Sequence, residues 1–255
     1  MSAIRFRWAE VLGVAAVIAA ATLSPAPLSA ASVKTAHAAH PPNKQAARNK
    51  PEEPPAPPEL AASETATRLL QWIAMTGDNG SLPYIVIDKQ AAELLLFDKQ
   101  GKFLGQTPVL IGIGVGDESS PGVGTKKSLA EIGPAERTTP AGRFVAKYGK
   151  AFGRERVLWV DYADSVALHA VITTNKKEHR VQRLQTPTAD DNRITFGCIN
   201  VGTRFYTKQV RPLFQKTGGI VYILPDTKTL EDVFPRVRLL PFMKTDEREV
   251  AATGG

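Results

Sequence analysis

The stretch RITFGCINV, Arg193–Val201, holds the only cysteine of a 255-residue chain. Gly197 allows a backbone turn there, and the following TRFYTKQVRPLFQK (203–216) reads as a short helix disturbed by Pro212. A thiol just ahead of a helix N-terminus tends toward the thiolate, whereas a lone cysteine is most often a small buried hydrophobe. Cys198 therefore has two readings, a packed side chain or a nucleophile. The compartment bears on the choice, because an exposed unpaired thiol is a liability under oxidising conditions unless it is used.

The N-terminus reads as an export signal. Arg5 and Arg7 precede the apolar run VLGVAAVIAAATL (Val11–Leu23), and AHA at Ala36–Ala38 offers a cleavage site, with a weaker one after Ala31. The run is short for a permanent span, so a cleaved signal over 1–38 is expected in preference to a retained anchor. Cleavage lowers the formal charge from +7 to +5. That excess suits an anionic envelope polymer, and there is no dense Lys/Arg stripe interleaved with aromatics to suggest nucleic acid.

Residues 39–62 form a Pro-rich spacer, including HPPNKQAARNKPEEPPAPPEL (40–60), too poor in large apolar groups to offset its ordering entropy. Ser63 is an N-cap for a short helix over 63–76, ended by TGDNG. The main domain spans 82–224. YIVID and AELLLFD read as a hairpin, followed by strands in QTPVLIGI, TPAGRFVAKYG, RVLWVDYA, VALHAVI and IVYIL. Many short strands and few helices predict a mainly β sandwich or barrel with antiparallel pairing. The Gly-rich segment from Gly114 to Arg137 reads as a surface loop, and 225–255 as a tail whose few apolar residues, LLPFM, are placed to pack at the rim of the domain and whose end fades into disorder.

The chemistry narrows quickly. GTKK lacks the Gly-Lys-Ser/Thr step into a helix that a phosphate loop needs. His37, His40, His169, His179 and Cys198 show no metal-ligand spacing, so neither metal nor cofactor is expected. A catalytic thiol needs a base held within reach. His169, on the predicted strand VALHAVI, is better fixed than His179 in the charged NKKEHRVQR.

ALHA followed downstream by TFGCINV, together with RTTPAGRF (137–144), resembles the L,D-transpeptidase catalytic domain family, over roughly Leu82–Leu224. The resemblance implies a cysteine acyltransferase acting on peptidoglycan stem peptides; the export signal directs it to the periplasm or cell wall, and a monomer is expected. Cys198 matches the nucleophile and His169 the general base. Gly197 and Cys198 match oxyanion donors through their backbone N–H groups, Thr195 takes the Ser/Thr place, and Asn200 matches a substrate-contacting Asn. Phe196 stands where the family has a second histidine. The insertion TTNKKEHRVQRLQTPTADDN (173–192) is expected to form a basic lid. Its Lys176, Lys177, Arg180 and Arg183, with the adjoining Arg193, suit the carboxylates of stem peptides. Trp159 and Tyr162 are candidates for the cleft wall. Transfer to an amine, hydrolysis by water, and a wall-binding module with decayed chemistry are the three outcomes that the residues allow.

Overall fold

The computed structural model describes residues 59–151 and 156–243; the signal, nearly all of the spacer and the end of the tail lie outside them. Helix α1 (Glu64–Thr76) starts where Ser63 accepts a hydrogen bond from the Ala66 N–H, and ends at Gly77 in the left-handed region. Nine strands follow: β1 (Tyr84–Asp88), β2 (Glu93–Phe97), β3 (Phe103–Gly112), β4 (Gly142–Lys150), β5 (Arg156–Asp161), β6 (Val166–Ala170), β7 (Arg193–Thr195), β8 (Ile199–Val201) and β9 (Gly219–Ile223). Their order is β2-β1-β9-β4-β5-β6-β8-β3, and β3 pairs back to β2, which closes the sheet into a barrel. The short β7 lies alongside β3. The fold is mainly β, as the strand pattern predicts.

The pairing is not wholly antiparallel as expected, because β1–β9, β3–β7 and β6–β8 run parallel. Each joins segments distant in sequence, which alternation along a single strand does not report.

Two cores explain which strands alternate. Ile85, Ile87, Leu94, Leu96, Val221 and Ile223 fill the barrel, while Tyr84, Val86, Leu95, Phe97, Ile220 and Tyr222 project outward onto α1 and the C-terminal segment. With both faces covered, β1, β2 and β9 read as continuous apolar runs. On β6 the pattern is one-sided: Val166 and Leu168 enter the barrel core, so Ala167 and His169 lie on the outer face.

The start of the tail packs on the domain, as its apolar residues suggest. Helix α5 (Leu230–Val233) and a 3₁₀ segment (Pro235–Leu239) bury Leu230, Phe234, Val237 and Leu240 in the outer core. Arg68 on α1 pairs with Glu231 there. The 203–216 stretch is helical as α3 (Thr203–Phe205), a π-helical turn (Tyr206–Val210) and α4 (Arg211–Phe214). Pro212 lies at the start of α4, where a missing N–H costs little, and the irregularity is the π-turn before it. Among the described residues, no helix is long and apolar enough to cross a membrane.

Candidate active site

Cys198 occupies the turn between β7 and β8, at the outer surface of the barrel. It precedes a strand and not the expected helix, which begins only at Thr203. The parallel register sets His169 beside Asn200 and Leu168 beside Ile199. Since Ile199 and Leu168 point into the core, Cys198, Asn200, Ala167 and His169 share the outer face. The sequence-predicted nucleophile thus lies just ahead of β8 and the base on the adjacent β6, on one side of the sheet.

The turn is held from both ends. The Gly197 N–H donates to Thr195 Oγ1 at 3.2 Å, and that hydroxyl donates to the Cys198 carbonyl at 2.6 Å. Thr195 is therefore a brace, and the Gly197 N–H assigned to the oxyanion is taken up within the turn. The Cys198 N–H is the next backbone donor of the turn.

From the other side comes the Thr-Thr-Pro turn that leads into β4. Thr139 Oγ1 donates to the Gly197 carbonyl at 2.8 Å and accepts from the Gly112 N–H at 2.9 Å. Gly197 has φ +116°, and a Cβ there would meet the Thr138 carbonyl oxygen at 2.8 Å. Both the backbone conformation and the contact therefore require glycine. The two sequence motifs that carry the family resemblance are physically interlocked.

Phe196 does not leave a gap where a second histidine is expected. The Arg137 guanidinium lies 3.9 Å from its ring centroid, a cation–π contact, and Arg137 Nε is fixed on the Ile132 carbonyl. Such a contact is worth about 0.5–1 kcal/mol at a half-exposed site. Phe196→His is therefore expected to retain the turn and its covalent labelling by a carbapenem. A variant that labels while the wild type does not would overturn this reading of Phe196.

Cys198 is half-buried. Desolvation pushes its thiol above the ordinary cysteine value, against the opposing influence of the Ala167 N–H and the Arg180 charge. Sγ donates to the Ser165 carbonyl at 3.6 Å. This is a protonated thiol at neutral pH, so its reaction requires a base.

His169 is 8% exposed. Its Nδ1 lies 2.8 Å from the Ala170 carbonyl and its Nε2 lies 3.2 Å from Asn200 Nδ2. A carbonyl only accepts, so Nδ1 carries the proton and Nε2 keeps its lone pair. Asn200, 1% exposed, turns its Oδ1 to Arg180 NH1 at 2.9 Å. Arg180 comes from the 173–192 insertion, at the start of helix α2 (Arg180–Arg183), and pairs with Glu178. Of the insertion's basic residues, Arg180 reaches the site, and Arg183 holds the insertion together through the Glu178 and Asp191 carbonyls. Lys176, Lys177 and His179 are exposed.

Arg193 is placed elsewhere. Its guanidinium spans both oxygens of Asp226, at 3.2 and 2.7 Å. Beside it Lys89, its side chain wholly buried, contacts Asp117 at 3.0 Å and Asp226 at 3.3 Å. Lys89 also donates to the Gly116 and Thr139 carbonyls. Two cations and two carboxylates thus sit beneath the Thr139 brace. Lys89, in a turn that reads as solvent-facing, had no sequence signal. Thr139 lay within a quoted motif. Trp159 and Tyr162 stack edge to face, with Tyr162 77% exposed.

No protein-family model matches the chain, and no curated protein matches it in sequence. Solved structures are similar to it, among them the following two. One is the crystal structure of the L,D-transpeptidase (residues 123–326) from Xylanimonas cellulosilytica DSM 15894. Identity there is 15%, over 56% of this chain and 60% of that one, with a TM-score of 0.34. The chain thus spans less than two thirds of that structure. The other is the NMR structure of the catalytic domain from the E. faecium L,D-transpeptidase, 16% identical over 56% of this chain and 96% of that one, with a TM-score of 0.35. Each of these two proteins to which the chain is similar is an L,D-transpeptidase.

Proposed function

We propose that the protein is an exported L,D-transpeptidase that joins peptidoglycan stem peptides through a Cys198 acyl-enzyme. One observation carries the reading: the lone thiol sits on a doubly braced turn, on the same outer face as a buried histidine with a defined tautomer. A packed structural cysteine needs neither feature.

The chemistry follows from those groups. His169 Nε2 takes the thiol proton, and the electron pair left on sulfur attacks the carbonyl carbon between the L-centre of a diamino acid and the D-residue after it. The Cys198 N–H stabilises the developing oxyanion; one such donor is typically worth about 3–4 kcal/mol. The C–N bond breaks, the imidazolium proton passes to the departing amine, and a thioester remains. An amine from a second stem attacks it, yielding a cross-link and the free thiol. No metal or cofactor takes part, and the chain works as a monomer in the periplasm.

Incubating the protein with disaccharide-tetrapeptide and analysing the products by mass spectrometry tests this. A cross-linked dimer with release of the D-residue is expected. Tripeptide alone would assign a hydrolase, and unchanged substrate would favour a binding module.

A further inference from the structure

Asn200 is the hinge of this inference. Its amide has one accepting end and one donating end, and arginine has only donors. Arg180 NH1, 2.9 Å away, must therefore face Oδ1, which turns Nδ2 toward His169 Nε2 at 3.2 Å. An N–H aimed at Nε2 tolerates the neutral imidazole and opposes the imidazolium, whose Nε2–H would meet another donor. The other side of the ring gives no relief, since Nδ1–H already serves the Ala170 carbonyl.

We propose that Arg180 is a carboxylate receptor that gates the base: while bound to Asn200 it holds His169 unprotonated, and it releases His169 when a substrate carboxylate takes its guanidinium. Asn200 then turns over, and Oδ1 accepts from Nε2–H of the imidazolium formed as the Cys198 proton arrives. Arg180 and Asn200 act here as positioning residues. The inference rests on His169 being the base of the proposed reaction.

The surroundings favour this assignment. Arg180's side chain is 11% exposed and its one carboxylate partner, Glu178, is a neighbour in sequence that travels with it. Asn200 faces His169 from β8, Cys198 lies just ahead of that strand, and Arg180, with Glu178, reaches Asn200 from the insertion. On β5 the ionisable group on the same side is Asp161, beyond Trp159, with its Oδ1 used by the Ala163 and Asp164 N–H groups. Glu178 holds Nε, and a free α-carboxylate, as at the end of a stem peptide, matches the Nη edge of the guanidinium better than the single amide oxygen that edge now binds.

The test follows the His169 ring by NMR in the full-length protein, with its signals identified by their loss in His169→Gln. The pH at which they titrate is expected to rise in Arg180→Met and in Asn200→Leu, and to stay near the wild-type value in Arg180→Lys. A rise in Arg180→Met with none in Asn200→Leu would reduce the effect to loss of a nearby charge and overturn the gate. No rise in either would also overturn it. Added N-acetyl-D-alanine should raise the wild-type value and leave Arg180→Met unmoved; an unresponsive wild type would remove the carboxylate from the proposal. These readings concern a ring nitrogen and do not depend on turnover. Failure of the transpeptidase assignment would appear in the product analysis and not here.

Discussion

Cys198→Ala is expected to abolish covalent labelling by a carbapenem, and His169→Ala to slow it by roughly two to four orders of magnitude, the usual scale of a lost general base. His179→Ala should label like the wild type. The thiol explains the first result, since oxyanion donors alone form no covalent bond. The raised thiol titration explains the second: without His169, few molecules carry a thiolate at neutral pH. The residual rate of His169→Ala should accordingly climb with pH through and beyond the ordinary cysteine range. His179 is exposed, with φ +50°, and lies in the insertion instead of on β6. Time courses of intact mass for the three variants decide the matter. A crippled His179→Ala, or a labelled Cys198→Ala, would refute the assignment.

The second large effect is expected far from the sulfur. Lys89→Met should lower unfolding stability by about 3–5 kcal/mol, the range found when one partner of a buried ion pair is removed. That is a sizeable part of the roughly 5–15 kcal/mol that holds a domain together. With Lys89 gone, Asp117 and Asp226 face a single cation, Arg193, and the Thr139 carbonyl loses its donor. Because Thr139 braces Gly197, labelling of Cys198 should slow as well. Charge balance predicts that adding Asp117→Asn recovers part of the stability. Denaturant midpoints measure both; a change under about 1 kcal/mol in Lys89→Met would contradict a net-stabilising cluster.

Acid should act on the same cluster. Burial alone would raise the Asp117 carboxyl, but hydrogen bonds from the Asp226, Thr227 and Lys228 N–H groups and the Thr227 hydroxyl outweigh it and hold the group well below the usual range. A carboxyl depressed in the folded state stabilises above its unfolded value, about pH 4, and that contribution fades as pH falls toward the folded value.

What the sequence discloses depends on range. Seven of the nine strands of the 82–224 region were legible because short apolar runs end at turn residues, and VALHAVI showed its two faces through alternation; β7 and β8, three residues each on either side of Cys198, are too short to show a pattern. Cys198 and His169 stand out in the sequence as candidates through their chemistry, and resemblance singles them out together with the Thr-Thr-Pro turn. The contact between that turn and Gly197 was not legible, since it joins residues 58 apart. The Lys89 cluster was hidden for a similar reason: a lysine in DKQAA and an aspartate in a Gly-rich loop both look solvated until the chain closes over them. Arg180 was one of several basic residues in the insertion, and only the fold distinguishes it from exposed Lys176. In the C-terminal segment LLPFM showed an apolar stretch able to pack on the domain, but the wider pattern is longer. Leu230, Phe234, Val237 and Leu240 follow helical spacing, and all four are buried.

The most direct test is to mix the protein with disaccharide-tetrapeptide, quench in acid within the first turnover, and map the protein by mass spectrometry. The account predicts a peptide containing Cys198 that is heavier by the donor less its terminal D-residue, and that releases the adduct to hydroxylamine as a thioester does. Product formed with Cys198 unmodified throughout, or an adduct carried by another residue, would contradict it.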